Sequence, residues 1–418
     1  MPTPRDFEEQ IARMRRDRPP LTQVQPVNPQ RLQDAGPQLD ALWRIALDDC
    51  ERNIVNVDGV RYFGAGTHFD VRVYTRDIAI SGLLGLNRLY PDIMHESLLH
   101  TRRVRWELGF GIAAGYELED TVDVPWEEIA PDERTMMERY HTNSYARRTD
   151  DVIWIWAMAD LFEQNPTFAD WTWLLNEGTR FFERFYQPFF DGSDGLYRGQ
   201  SCFVDIHFTQ CKAGGYPQDW SIADCIMCKA ASTNALYLAA CRCLAQAAER
   251  CGETAPARSW GERAEALQSA MHSAFITADG HVAYLKDRWG RLDTRRHALG
   301  EAWFVEHGVV TGAEARAALA GYPVEERGVA MYAPFLGMAS AYHDNASWPF
   351  VDTWYCRAVE RAGCGDQTLR NVGMLAHACQ EGFHEVVAWQ GHVVTGSPHQ
   401  LWSAAAFTDV CRRAGLWA

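Results

Sequence analysis

From about residue 38 to residue 414 one pattern recurs: apolar residues at helical spacing, a break, then another such run. The runs cover 38–53, 96–114, 150–162, 168–190, 228–251, 256–276, 300–306, 312–319, 349–362, 367–379 and 400–414. Another helical run starts at Asp77 with Ile78, Leu83, Leu84 and Leu86. No strand–helix–strand alternation appears, which argues against a parallel sheet. One hairpin stands out, where Val55, Val57, Val60 and Tyr62 alternate around Asp58-Gly59. About a dozen helices joined alternately by short turns and longer loops suit an α/α toroid, in which the longer loops gather at one end as a cleft. No strict repeat period is visible, so a solenoid fits less well.

No Pro/Gly/Ser linker divides the 418 residues after the first 35. The expected organisation is a short helix and extended arm over 1–36, then one large domain over 37–418. The basic run Arg13-Met14-Arg15-Arg16 reads as a solvated helix face. A net charge of −15 disfavours nucleic acid and anionic membranes as partners. The early charges precede no apolar signal core, and no run approaches the ~18 apolar residues of a membrane span. Several of the twelve cysteines sit inside helical runs, which suits reduced, buried thiols and a cytoplasmic setting. Sixteen tryptophans exceed what a core of this size ordinarily uses. Indoles also stack on sugar rings and offer an N–H donor.

The polar residues gather in the loops. In Tyr74-Thr75-Arg76-Asp77 the Arg76 guanidinium and Asp77 carboxylate suit sugar hydroxyls, or Asp77 caps its helix. Arg148-Thr149-Asp150-Asp151 offers either a helix N-cap at Thr149 or Asp150, or twin aspartates, Asp150 and Asp151, facing the cleft. A long loop runs from Asp194-Gly195-Leu196-Tyr197-Arg198 to Phe203-Val204-Asp205 and on past Tyr216-Pro217. Apolar neighbours at Asp205 disfavour its ionisation and suit a general acid. Then come Tyr342-His343-Asp344-Asn345-Ala346-Ser347-Trp348-Pro349 and a C-terminal loop holding Glu381, Glu385, Trp389, Gln400 and Trp402.

Taken in order, Thr75-Arg76-Asp77, Arg148-Thr149-Asp150-Asp151, Asp194 through Asp205 to Tyr216-Pro217, Ser232-Thr233-Asn234, His343 through Trp348-Pro349 and Gln400-Leu401-Trp402-Ser403 resemble the six-hairpin glycosidases. These are (α/α)6 barrels that include glucoamylases, trehalases, processing α-glucosidases and mannosylglycerate hydrolases. The resemblance spans about residues 40–418 and singles out no one family. It implies an inverting glycoside hydrolase. Exo action on a small oligosaccharide or glycoside is expected from the lack of a secretion signal and of an appended binding domain, and no cofactor and a monomeric or homo-oligomeric state are expected with it. Carried over by position, Asp205 is the general acid and Glu385 the general base. Arg76, Asp77, Asp151, Tyr197, Arg198, His343, Trp348, Trp389, Gln400 and Trp402 would bind substrate. Asp219 and Asp224 rival Asp205, and Glu381 rivals Glu385. The contexts Phe383-His384-Glu385 and Asp205-Ile206-His207 depart from the superfamily's usual neighbours.

Other chemistries fit less well. Cys202, Cys211, Cys225 and Cys228 are four thiols in one loop region, but they make one C-x-x-C where structural zinc usually uses two. A sugar epimerase of the N-acylglucosamine 2-epimerase type shares the barrel and would recruit His343, His384 and His399 as acid and base. A glycoside phosphorylase would need a basic phosphate pocket, which the sequence does not display. A non-enzymatic carbohydrate-binding protein would need no paired carboxylates.

Overall fold

The computed structural model describes residues 28, 30–57, 59–69, 73–108, 149–199, 220, 224, 227–337, 342, 344–379, 382–390 and 396–417. The expected helix within 1–27 and the continuation of the run at 109–114 lie outside these residues. In chain order the α-helices longer than one turn are α1 (Pro37–Arg52), α2 (Thr75–Ser81), α3 (Pro91–Leu108), α4 (Asp150–Gln164), α5 (Trp171–Phe181) and α6 (Ala231–Cys251). They continue as α7 (Thr254–Phe275), α8 (Ala298–Glu306), α9 (Gly312–Leu319), α10 (Pro349–Arg361), α11 (Thr368–Ala378) and α12 (Leu401–Arg413).

The even-numbered helices are the core. α2 is buried throughout, α6 from Ala231 to Cys241 and α12 from Leu401 to Cys411 without a break. Their sequences are rich in Ala, Cys, Ser and Thr, small enough for close packing on every side, and a helix that is apolar all round belongs inside. The odd-numbered α7 instead buries one stripe, Trp260, Ala264, Leu267, Met271 and Phe275. Each large side chain there contributes about 1.5–3 kcal/mol on burial. Gly252, in the left-handed region at φ 75°, ends α6 and turns the chain back into α7.

Packing among the even helices runs in a cycle: α2 on α4, α4 on α6, α6 on α8, α8 on α10, α10 on α12, and α12 on α2. The odd helices lie against them, α1 on α12, α5 and α7 on α6, α9 on α8, and α11 on α10 and α12. Two pairs of even-helix starts are neighbours. Gln400, just before α12, donates to Asp77 in the first turn of α2. A Cβ on Gly300 of α8 would lie 3.6 Å from the Cβ of Ala231, the first residue of α6.

Short strand pairs knit the loops at this end. Ile54–Val57 pairs antiparallel with Val60–Phe63, the hairpin read from the sequence. Strands Lys229–Ala230, Ala283–Lys286, Leu292–His297 and Tyr332–Ala333 form one antiparallel sheet across the starts of α6 and α8. Ala346–Ser347, just before α10, pairs with Val387–Ala388 in the loop before α12. The run expected over 168–190 is instead broken. α5 ends at Phe181 and gives way to a π turn over Phe182–Tyr186, a short 3-10 turn over Gln187–Phe189 and a strand at Phe190–Asp191. Pro188, which lacks an N–H, cannot continue an α-helix.

Candidate active site

The loop between α11 and α12 presents Glu385. Its outgoing arm, Phe383 to Glu385, and its returning arm, Ser397 to Gln400, bond to each other. Gln400 N donates to Phe383 O at 2.8 Å and Glu385 N to Ser397 O at 2.9 Å. The carboxylate then has a donor on each oxygen: the Tyr342 hydroxyl on Oε1 at 2.6 Å and Ser397 N on Oε2 at 2.9 Å. Glu385 is 4 % exposed, and the two donors satisfy its buried oxygens. Gly396 is required here, because a Cβ would come 2.6 Å from that of Glu385 and 2.9 Å from Val386 N. Tyr342 and Ser397 were not singled out from the sequence.

An aromatic wall backs this carboxylate. Tyr342 packs edge-on to Trp348 at 5.0 Å, Trp348 edge-on to Trp402 at 5.6 Å, and Phe350 lies 4.7 Å from Trp402. Trp348 precedes α10 and Trp402 sits in the first turn of α12, so two helix starts converge on the wall. Gln400, whose Nε2 donates to Asp77 Oδ1 at 2.9 Å, joins the α2 start to the same loop. Asp77 therefore faces Gln400, while Tyr74 takes the capping position. Arg76 beside it is buried. Trp389 N donates to Asn345 O at 3.0 Å, and its ring meets Phe335 edge-on at 5.4 Å. The buried Trp402 Nε1, Trp389 Nε1 and Gln400 Oε1 have no hydrogen-bond partner among the described residues. Asp77 is thus bonded to Gln400, and Trp348 and Trp402 pack in series behind Tyr342, the donor to Glu385.

The loop that contains Asp205, the expected general acid, is described at its base. Gly199 N donates to Cys228 O at 2.8 Å, closing the segment that contains Asp205. Lys229 Nζ bonds Asp191 at 2.6 Å and Asp194 at 2.8 Å, Lys286 Nζ bonds Asp194 at 2.7 Å, and Arg198 pairs with Asp191. Burial would raise both carboxyls, but the lysine hydrogen bonds outweigh it and hold both below the usual range. Arg198, expected at a sugar, is engaged in this ionic cluster. Tyr197 is a correction: it lies in the core, stacked on Tyr237 at 4.0 Å, with its backbone N–H bonded to Asn234 Oδ1. Asp224 pairs with Arg288 at 2.9 Å. Asp205, Asp219, Glu381, His343, Cys202, Cys211 and Cys225 lie outside the described residues. Asp151 falls in the first turn of α4, and Cys228 is buried.

No family model matches the chain, and no curated protein matches it by sequence. Solved structures do match. A mannosylglycerate hydrolase of family GH63 from Thermus thermophilus superposes with a TM-score of 0.61 at 14 % identity, over 88 % of this chain and 99 % of that one. The fold is that of solved glycosidases. A rhamnosidase from Klebsiella oxytoca matches with a TM-score of 0.60 at 15 % identity over 92 % of this chain, and a GH78 rhamnosidase of Bacillus sp. GL1 with 0.58 at 17 % over 92 %. The chain spans 66 % and 35 % of those two rhamnosidases.

Proposed function

We propose that this protein is an inverting glycoside hydrolase built on an (α/α)6 barrel, acting from the end of a small oligosaccharide or glycoside. The observation that carries the reading is Glu385, a buried carboxylate held by two donors against an aromatic wall where helix starts converge. The cycle of even helices supports the barrel, and the likeness to solved glycosidases supports the activity. Glu385 is the general base, and the Tyr342 hydroxyl and Ser397 N–H aim it. Asp205 is the general acid, on the loop closed by Gly199 and Cys228. Inversion requires about 6.5–9.5 Å between the two carboxyl groups, leaving room for the attacking water. Among the described residues no helix is long and apolar enough to cross a membrane. A cytoplasmic setting is part of the proposal, and the nine free cysteines among the described residues are in keeping with it.

A panel of disaccharides and aryl glycosides, with the first-formed product anomer followed by NMR, tests the proposal. Cleavage with inverted configuration is expected; retention would overturn the assigned roles. On whichever substrate turns over, Tyr342→Phe is expected to lower kcat about 10- to 100-fold. It removes one hydrogen bond to a charged group, worth about 1.5–3 kcal/mol, from the base. Steady-state kinetics with KM as the control checks this.

A further inference from the structure

The C-terminal loop is also tied to the outer helix α1, through one carboxylate with two partners. Asp49, in the last turn of α1, is fully buried. Its Oδ2 accepts from Phe383 N at 2.5 Å and its Oδ1 bonds His399 Nδ1 at 2.5 Å. Phe383 lies two residues before Glu385, and His399 two residues after Ser397. The carboxylate therefore grips both arms of the loop one rung below the pair that holds the base. We infer that the Asp49–His399 pair is a positioning device that sets the register of these arms and so aims Glu385; this deepens the hydrolase reading and rests on it.

The backbone is bent to make this grip. His399 sits at φ 54°, in the left-handed region, and Asn53 Nδ2 holds its carbonyl at 2.7 Å while also bonding Asp49 O at 2.8 Å. Gly382 at φ 153° clears the imidazole, since a Cβ there would collide with His399 Nδ1. A non-glycine residue held at positive φ persists only where its surroundings impose it. Here the imposition comes from Asp49, Asn53 and the missing side chain of Gly382. The side-chain period along an extended arm is two, so a slip of one residue would turn Glu385 away from Tyr342 and Ser397 N.

Two variants and two readouts test this. His399→Ala removes the donor and the preference for the left-handed region. His399→Asn keeps both, because an amide nitrogen reproduces the reach of Nδ1 and asparagine tolerates that conformation. For His399→Ala, kcat is expected to fall about 10- to 100-fold with KM within about threefold, and hydrogen exchange at the Glu385 and Ser397 amides to speed by a similar factor. His399→Asn is expected to restore most of both. Unchanged exchange protection in His399→Ala overturns the inference whether or not the protein cleaves a glycoside. Loss of kcat in both variants with protection intact also overturns it, since His399 would then act directly on the substrate. If wild-type protein cleaves no glycoside in the panel, the hydrolase reading falls while exchange still decides the register role.

Discussion

Glu385→Gln is expected to lower kcat by about three orders of magnitude while leaving sugar binding within about threefold of wild type. Removing a general base costs about 10²–10⁴ in rate, and here no other group is proposed to take the proton from water. The substitution nearly conserves shape. Its amide oxygen can still accept from Tyr342, which donates to Oε1 at 2.6 Å, but its NH2 would then face Ser397 N, now 2.9 Å from Oε2. That donor–donor contact loosens the returning arm, so binding must be measured beside rate. Azide supplies a discriminating control, because it is a nucleophile that needs no base. With an aryl glycoside it should restore cleavage in the variant and give the inverted glycosyl azide. Wild-type turnover in Glu385→Gln, together with loss of activity in His384→Ala, would sink the hydrolase reading in favour of histidine acid–base chemistry on a sugar carbon.

How far the chain reveals this in advance depends on the distance over which each feature is written. The helices are legible because burial leaves a local mark: unbroken small and apolar residues in α6 and α12, a single stripe in α7. The loops of the candidate site are legible as polar interruptions, which is how Asp77, Trp348, Glu385, Gln400 and Trp402 come to notice. Their partnerships are not legible. Tyr342 is 43 residues from Glu385, Asp77 is 323 from Gln400, and Asp49 is 350 from His399. No local pattern ties such pairs, because the fold alone brings them together. The two-residue strands at 346–347 and 387–388 are too short for alternation to register. Tyr197 shows the converse error. A tyrosine in a polar loop looks like a sugar contact, but its position beside Phe190, Phe182 and Tyr237 makes it part of the core.

Asp352→Asn is expected to make the protein more stable above neutral pH and to leave it near wild type around pH 4. Asp352 lies in the first turns of α10, 1 % exposed, and its Oδ1 accepts from Val329 N and Ser347 Oγ, each at 2.8 Å. Gly328 lets the chain pass this close, since a Cβ there would lie 2.7 Å from both carboxylate oxygens. Burial pushes the carboxyl up from 3.8 to about 7, against the lowering effect of those two hydrogen bonds. The folded state thus keeps a proton that the unfolded chain gives up between about pH 4 and pH 7. Stability is fully present below the unfolded value and falls as pH rises through this window, by about 4 kcal/mol at most for a shift of this size. Asparagine is neutral at every pH, can accept the same two hydrogen bonds and donates where the acid proton stood, so its denaturation midpoint should lack this decline. Urea unfolding of both proteins at several pH values between about 4 and 8 measures the difference directly. The first turn of a helix favours negative charge, and that attraction opposes burial here. If the variant gains nothing at pH 8, the dipole has won and Asp352 is ionised in the fold. A gain confined to high pH would instead mean that Ser347, Gly328 and α10 surround a protonated acid, and that the strand pair beside Glu385 rests on a neutral, hydrogen-bonded support.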